Sequence, residues 1–61
     1  KELTALATKL GEEAKSTGKE IKLDPMNAFE RKIIHDTIQD MGLTSESEGE
    51  DPRRFVVIFP S

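Results

Sequence analysis

An α+β fold is predicted for this chain: a small three-stranded sheet with two helices packed on one of its faces, in the order helix, strand, helix, strand, strand. Three observations predict it. Apolar residues recur at helical spacing in residues 2–17 and again in residues 28–41, the run Phe55-Val56-Val57-Ile58-Phe59 is apolar throughout, and breakers at Gly18, Asp24-Pro25, Gly42 and Gly49-Glu50-Asp51-Pro52 cut the chain into five pieces. At 61 residues the chain is expected to form one domain across residues 1–61. A domain of this size buries only about 60% of the surface its unfolded chain exposes, so every large apolar residue is expected to be needed. Because it begins at Lys1 rather than methionine and its first residues are already helix-like, it is expected to be a fragment of a longer protein.

In the first piece Leu3, Leu6, Ala7, Leu10 and Ala14 repeat with helical period, and Gly18 offers a left-handed stop, giving a helix over residues 2–17. Gly11 inside it costs about 1 kcal/mol against alanine, so either the helix bends there or a neighbour packs close to its backbone. Glu20-Ile21-Lys22-Leu23 alternates as a short strand with Ile21 and Leu23 inward, and Asp24-Pro25 ends it. Asn27 followed by Glu30 has the spacing of a capping box, which starts the second helix at Ala28, and Gly42 closes it. With Arg31 at zero on the helical wheel, Phe29, Ile33, Thr37, Met41, Ile34 and Ile38 occupy an arc from about 160° to about 340°, the expected core side. Arg31 at about 0° and His35 at about 40° then lie on its shoulder, with stems along a neighbouring strand and heads in water. Lys32 and Asp36 point to solvent.

Residues 43–48 read as a weak polar strand, Gly49-Glu50-Asp51-Pro52 as a turn and residues 53–59 as a strong strand. That last strand is apolar on both faces, Phe55, Val57 and Phe59 on one and Val56 and Ile58 on the other, so it belongs in the middle of the sheet. Strand three is therefore placed between strands one and two, antiparallel to both, with strand one, the second helix and strand two forming a right-handed crossover. One sheet face stays uncovered by helices, and either the phenylalanine set or Val56 with Ile58 should be half exposed there.

Net charge is −3, from 9 lysines and arginines against 12 acidic residues, which argues against a strong nonspecific grip on duplex DNA. Acidic residues gather at Glu12-Glu13 and in residues 46–51, whereas Lys22, Arg31, Lys32, His35, Arg53 and Arg54 are expected to share a surface if helix and hairpin pack together. The chain has no cysteine and a single histidine, which excludes disulfides, thiolate metal sites and multi-histidine sites. The carboxylates of the hairpin do not follow the spacing of a calcium loop. No cofactor is expected. With no glycine-rich phosphate loop, no nucleophile elbow and one histidine, an enzyme is a poor fit. No run is long enough to span a bilayer and no signal peptide is evident, so no membrane partner and a cytoplasmic location are expected.

The candidate site is Arg31-Lys32-Ile33-Ile34-His35, where an arginine and a histidine four apart project from nearly the same side of a helix. Read alone, they fit ordinary surface or shoulder residues, pairing with Glu48 or Glu50, better than they fit a ligand site, and it is the surrounding motif that reverses the balance. With Met26-Asn27-Ala28-Phe29-Glu30 before them, Ser45-Glu46-Ser47-Glu48-Gly49-Glu50 after them and then Arg53-Arg54, the stretch over residues 21–58 resembles the Arg-x-x-x-His (R-three-H) domain. Within that family it is most similar to the C-terminal domain of the bacterial Jag, or SpoIIIJ-associated, proteins. The resemblance implies a three-stranded sheet with helices on one side and binding of single-stranded nucleic acid, RNA or else single-stranded DNA. It carries the binding role to Arg31 and His35 and to the basic start of the last strand at Arg53 and Arg54, with Lys32 and Lys22 nearby. It also implies a KH-type RNA-binding domain as neighbour in the full-length chain. The alternative is a protein–protein interaction module using the exposed sheet face.

Overall fold

The computed structural model describes residues 2–61. Its elements follow in the expected order: α1 (Glu2–Thr17), β1 (Ile21–Lys22), α2 (Ala28–Asp40), β2 (Ser45–Glu48) and β3 (Phe55–Ile58). The sheet order is β1-β3-β2, with β3 antiparallel to both neighbours. β1 is shorter than the four-residue strand predicted, because Pro25 lacks an N–H and stops regular pairing soon after Leu23. Backbone bonds nevertheless continue past it, from Leu23 N to Val56 O at 2.9 Å and from Met26 N to Arg54 O at 3.0 Å. On the other edge Phe59 N donates to Thr44 O at 3.0 Å, prolonging the β2–β3 ladder. β3 itself begins at Phe55, two residues later than predicted, since Arg53 lies in the turn with its N–H on Glu50 O at 2.7 Å.

Local chemistry explains where α2 starts and stops. Asn27 Oδ1 accepts from Glu30 N at 2.8 Å while Glu30 Oε1 accepts from Asn27 N at 3.2 Å, which satisfies two of the donors a helix start leaves free. At the other end Gly42, at φ 79°, donates to Gln39 O at 2.9 Å and Leu43 N donates to Ile38 O at 3.1 Å. This paired closure requires a left-handed residue, which glycine supplies without a Cβ penalty.

The core lies between the helices and one sheet face. Ala7, Ala14, Leu23, Ile34, Ile38, Leu43, Val56 and Ile58 form it, with Leu3, Leu10, Ile21, Met26 and Met41 packed against it. Ala7, Gly11 and Ala14 give α1 a smooth face on which α2 lies close: a Cβ placed on Gly11 would stand 2.8 Å from Met41 Sδ and 3.0 Å from Ile38 Cδ1. Close packing, not a bend, accounts for that glycine. Val56 and Ile58 face the helices; Phe55 and Phe59 are half-buried on the opposite face, around a fully buried Val57.

One core assignment is corrected. Phe29 is 73% exposed. The buried residues of α2 are Arg31, Ile34 and Ile38, so the inward arc is centred near the 330° position of the wheel and not near 250°. Phe29, near 160°, therefore points almost directly outward. The same rotation brings Arg31 inside the buried arc.

Candidate nucleic-acid interface

Arg31 sits deeper than a shoulder residue, with only 9% of its surface exposed. Its Nε donates to Met26 O at 3.1 Å, and Nη2 stands 4.0 Å from Asp51 Oδ1 in the β2–β3 turn. One helical turn on, both ring nitrogens of His35 are engaged: Nδ1 with Ser45 Oγ at 2.6 Å and Nε2 with Ser47 Oγ at 2.9 Å. Pleating explains the match, because alternate residues of a strand share a face: the register sets Ser45 and Ser47 opposite the inward Ile58 and Val56, and Glu46 opposite Val57 on the outer face. The partners of the pair are thus serines and Asp51, not Glu48 or Glu50.

Burial, first, and the nearby Arg31 guanidinium, second, push the His35 pKa below its ordinary value of 6.5, against a smaller opposing pull from Asp36. The imidazole is therefore neutral at pH 7, and one nitrogen donates to a serine while the other accepts from one.

Ser47 also joins the site to β3. Its carbonyl oxygen accepts a long bond of 3.4 Å from Arg54 Nη2, while Arg54 Nε is buried without a hydrogen-bond partner. Arg31 and His35 of α2 and Arg54, the residue before β3, in this way meet at one hairpin. Arg53 is exposed in the turn beside them. Lys32 lies on the solvent side of α2 in an ion pair with Asp36 at 3.0 Å, a surface contact worth little. Lys22 is cross-strand from Val57 while its neighbour Ile21 packs on the core, so it occupies the outer sheet face, away from Arg31 and His35. The expected shared surface of six basic residues is thereby reduced: Lys22 does not join it.

Two depressions flank the pair. One of about 480 Å³ is lined by Arg31 and Asp51 with Pro25, Met26, Asn27, Ala28, Glu30 and Pro52. The other, about 270 Å³, is lined by His35, Gln39, Leu43, Thr44 and Ser45. Among the described residues no three His, Cys, Asp or Glu side chains are placed to hold a metal ion, and no helix is long and apolar enough to cross a membrane. Fixed guanidinium groups beside a neutral imidazole can hold phosphate oxygens by directed hydrogen bonds.

The serines and Asp51 were the residues that the sequence reading missed. Strand alternation puts Ser45 and Ser47 on a common face, and it is the register, setting them opposite Ile58 and Val56, that turns that face inward. Asp51 had no such signal, because a turn has no period.

The sequence pattern of the R-three-H domain matches residues 1–60. The chain is 46% identical over 57 residues, 92% of its length, to the RNA-binding protein KhpB of Lactiplantibacillus plantarum, of which it covers 18%. To the RNA-binding protein KhpB of Streptococcus pneumoniae serotype 2 it is 47% identical over 57 residues, 92% of this chain and 17% of that one. The mouse sperm-associated antigen 7 is 54% identical over 39 residues, 62% of this chain and 17% of the antigen. The chain thus spans about a fifth of the length of these curated relatives.

Proposed function

The chain belongs to the R-three-H domain family, and from that membership we propose that it is a binding module for single-stranded nucleic acid, RNA first and single-stranded DNA second, and not an enzyme. The observation that carries the proposal is the convergence of Arg31, His35 and Arg54 on the β2–β3 hairpin, beside the exposed Arg53. The Arg31 guanidinium takes a phosphate through its terminal nitrogens, His35 contacts the next phosphate or sugar, and Arg53 and Arg54 extend the track along the backbone. Lys32 lies at its margin. The names of the KhpB relatives, as RNA-binding proteins, support RNA as the ligand. A KH-type neighbour in the full-length chain would share the strand, two weak sites on one tether gaining affinity through effective concentration. A cytoplasmic setting suits such a role.

Titration of single-stranded oligonucleotides at two salt concentrations tests this. Log affinity should fall against log salt with a slope of about −0.7 per phosphate contacted, hence roughly −2 to −3 for three or four contacts, and duplex should bind less well. Absence of binding to any single strand at low salt sinks the proposal. A second reading rests on the half-buried Phe55 and Phe59 around Val57 on the face no helix covers, which suits a protein partner. Association that ignores salt and is lost on polar substitution of Phe55 would favour it.

A further inference from the structure

The larger depression beside Arg31 has a lining that phosphate alone does not explain. Two carboxylates, Glu30 and Asp51, stand on its walls with Pro25, Met26 and Pro52. Carboxylates repel phosphate. Glu30 is already committed through Oε1 to the Asn27 N–H. Asp51 is different: its side chain is 83% exposed, and the only ion pair it makes among the described residues is the loose 4.0 Å approach to Arg31 Nη2. Arg31, by contrast, has an 11% exposed side chain and is anchored through Nε to Met26 O. A fixed cation thus stands beside a free carboxylate, at the rim of a depression with apolar walls and about 480 Å³ of room.

We infer that this depression receives a guanine base of the bound strand, so that the domain reads guanine where the rest of its contacts read only backbone. The inference rests on the nucleic-acid reading above and adds the base to it. Unstacked bases of single strands are recognised on their Watson–Crick edges. Guanine alone presents two adjacent donors there, N1–H and the N2 amino group, beside the acceptor O6. Those two donors match the two oxygens of the Asp51 carboxylate, and O6 faces Arg31 Nη2, the terminal nitrogen beside Asp51, which leaves Nη1 for the phosphate. Adenine would set its N1 lone pair against the carboxylate, uracil has one donor between two acceptors, and cytosine has one amino group. Pro25, Met26 and Pro52 supply apolar walls for the ring in a chain that has no tyrosine or tryptophan for stacking.

The test is a titration of the domain with a uridine octamer and with octamers carrying one central guanosine, inosine, adenosine or cytidine. A bidentate contact predicts at least about fivefold tighter binding for guanosine than for uridine. Inosine, which lacks the N2 amino group, should lose most of that preference. In Asp51→Asn the guanosine-to-uridine ratio should fall to about one. Equal affinity for all five octamers overturns the inference while leaving the backbone reading intact, as does a guanosine preference that survives in Asp51→Asn. Failure of every octamer to bind removes the backbone reading and the guanine site together.

Discussion

Arg31 Nε donates to the carbonyl oxygen of Met26 at 3.1 Å, and Met26 N in turn donates to Arg54 O at 3.0 Å. The side chain proposed to hold phosphate is therefore also a strut between the start of α2 and the start of β3. Arg31→Ala should lose the packing of the buried stem and one charged hydrogen bond, costing about 1–3 kcal/mol. For an exposed residue the expected cost would be within about 0.5 kcal/mol. Arg31→Lys should recover part of the stability but not the binding, because an ammonium cannot hold Met26 O and a phosphate with one planar fork. Urea denaturation decides the first point: an Arg31→Ala domain as stable as the parent would mean that the strut carries nothing.

His35 gives stability a pH dependence whose sign follows from its environment. Burial and Arg31 lower its folded pKa, so between the unfolded value near 6.5 and the lowered folded value the unfolded chain binds more protons than the folded one. Its contribution is fully present above about pH 6.5 and is lost as pH falls through the folded value. A bound phosphate stabilises the imidazolium, so affinity should rise over that same acidic window, lower than an unperturbed histidine would place it. Melts and titrations from pH 7.5 downward should show both trends in the parent chain. In His35→Ala the corresponding slopes should be absent, and an equal pH response of binding in the two proteins would remove histidine from the mechanism.

The two faces of β3 can be told apart by charge. Val56 and Val57 are both fully buried, but Val56 points into the helix-covered core whereas Val57 lies on the outer face with Lys22 across the strand. Val56→Asp places an unpaired carboxylate in the core at a cost of several kcal/mol, against a total stability of about 3 to 5 kcal/mol for a domain of this size. It should unfold the domain. Val57→Asp has Lys22 across the strand and no helix packed over it, so it should be the milder of the pair. Circular dichroism showing Val57→Asp unfolded and Val56→Asp folded would reverse the assignment of faces.

How much of this was legible in the sequence depended on whether a period or a local motif carried the information. The bounds of α1, the capping box at Asn27 and Glu30, and the central place of β3 follow from spacing and from the two-sided apolarity of Phe55-Val56-Val57-Ile58. The rotation of α2 did not. Its apolar residues cover half the wheel, so hydrophobicity alone leaves the inward direction loose. What turns the helix is polar: Arg31 and His35 face inward because the Met26 carbonyl and the Ser45 and Ser47 hydroxyls meet them. The two motif residues were found from their spacing, but the environment of His35 belongs to contacts made across ten residues or more in the hairpin, which no local pattern records.

The rotation of α2 yields the last prediction. Phe29 is the largest apolar residue on the helix and would be judged part of the core by type, yet it is 73% exposed, whereas Ile34 is fully buried. Phe29→Ala should change stability by no more than about 0.5 kcal/mol, since little apolar area leaves contact. Ile34→Ala removes buried methylene and methyl groups from a close-packed site and should cost about 2–5 kcal/mol, most or all of the stability of so small a domain. The contrast is sharp enough to read from thermal melts alone, and a Phe29→Ala variant that melts as early as Ile34→Ala would show that α2 is rotated the other way, with Arg31 returned to the surface.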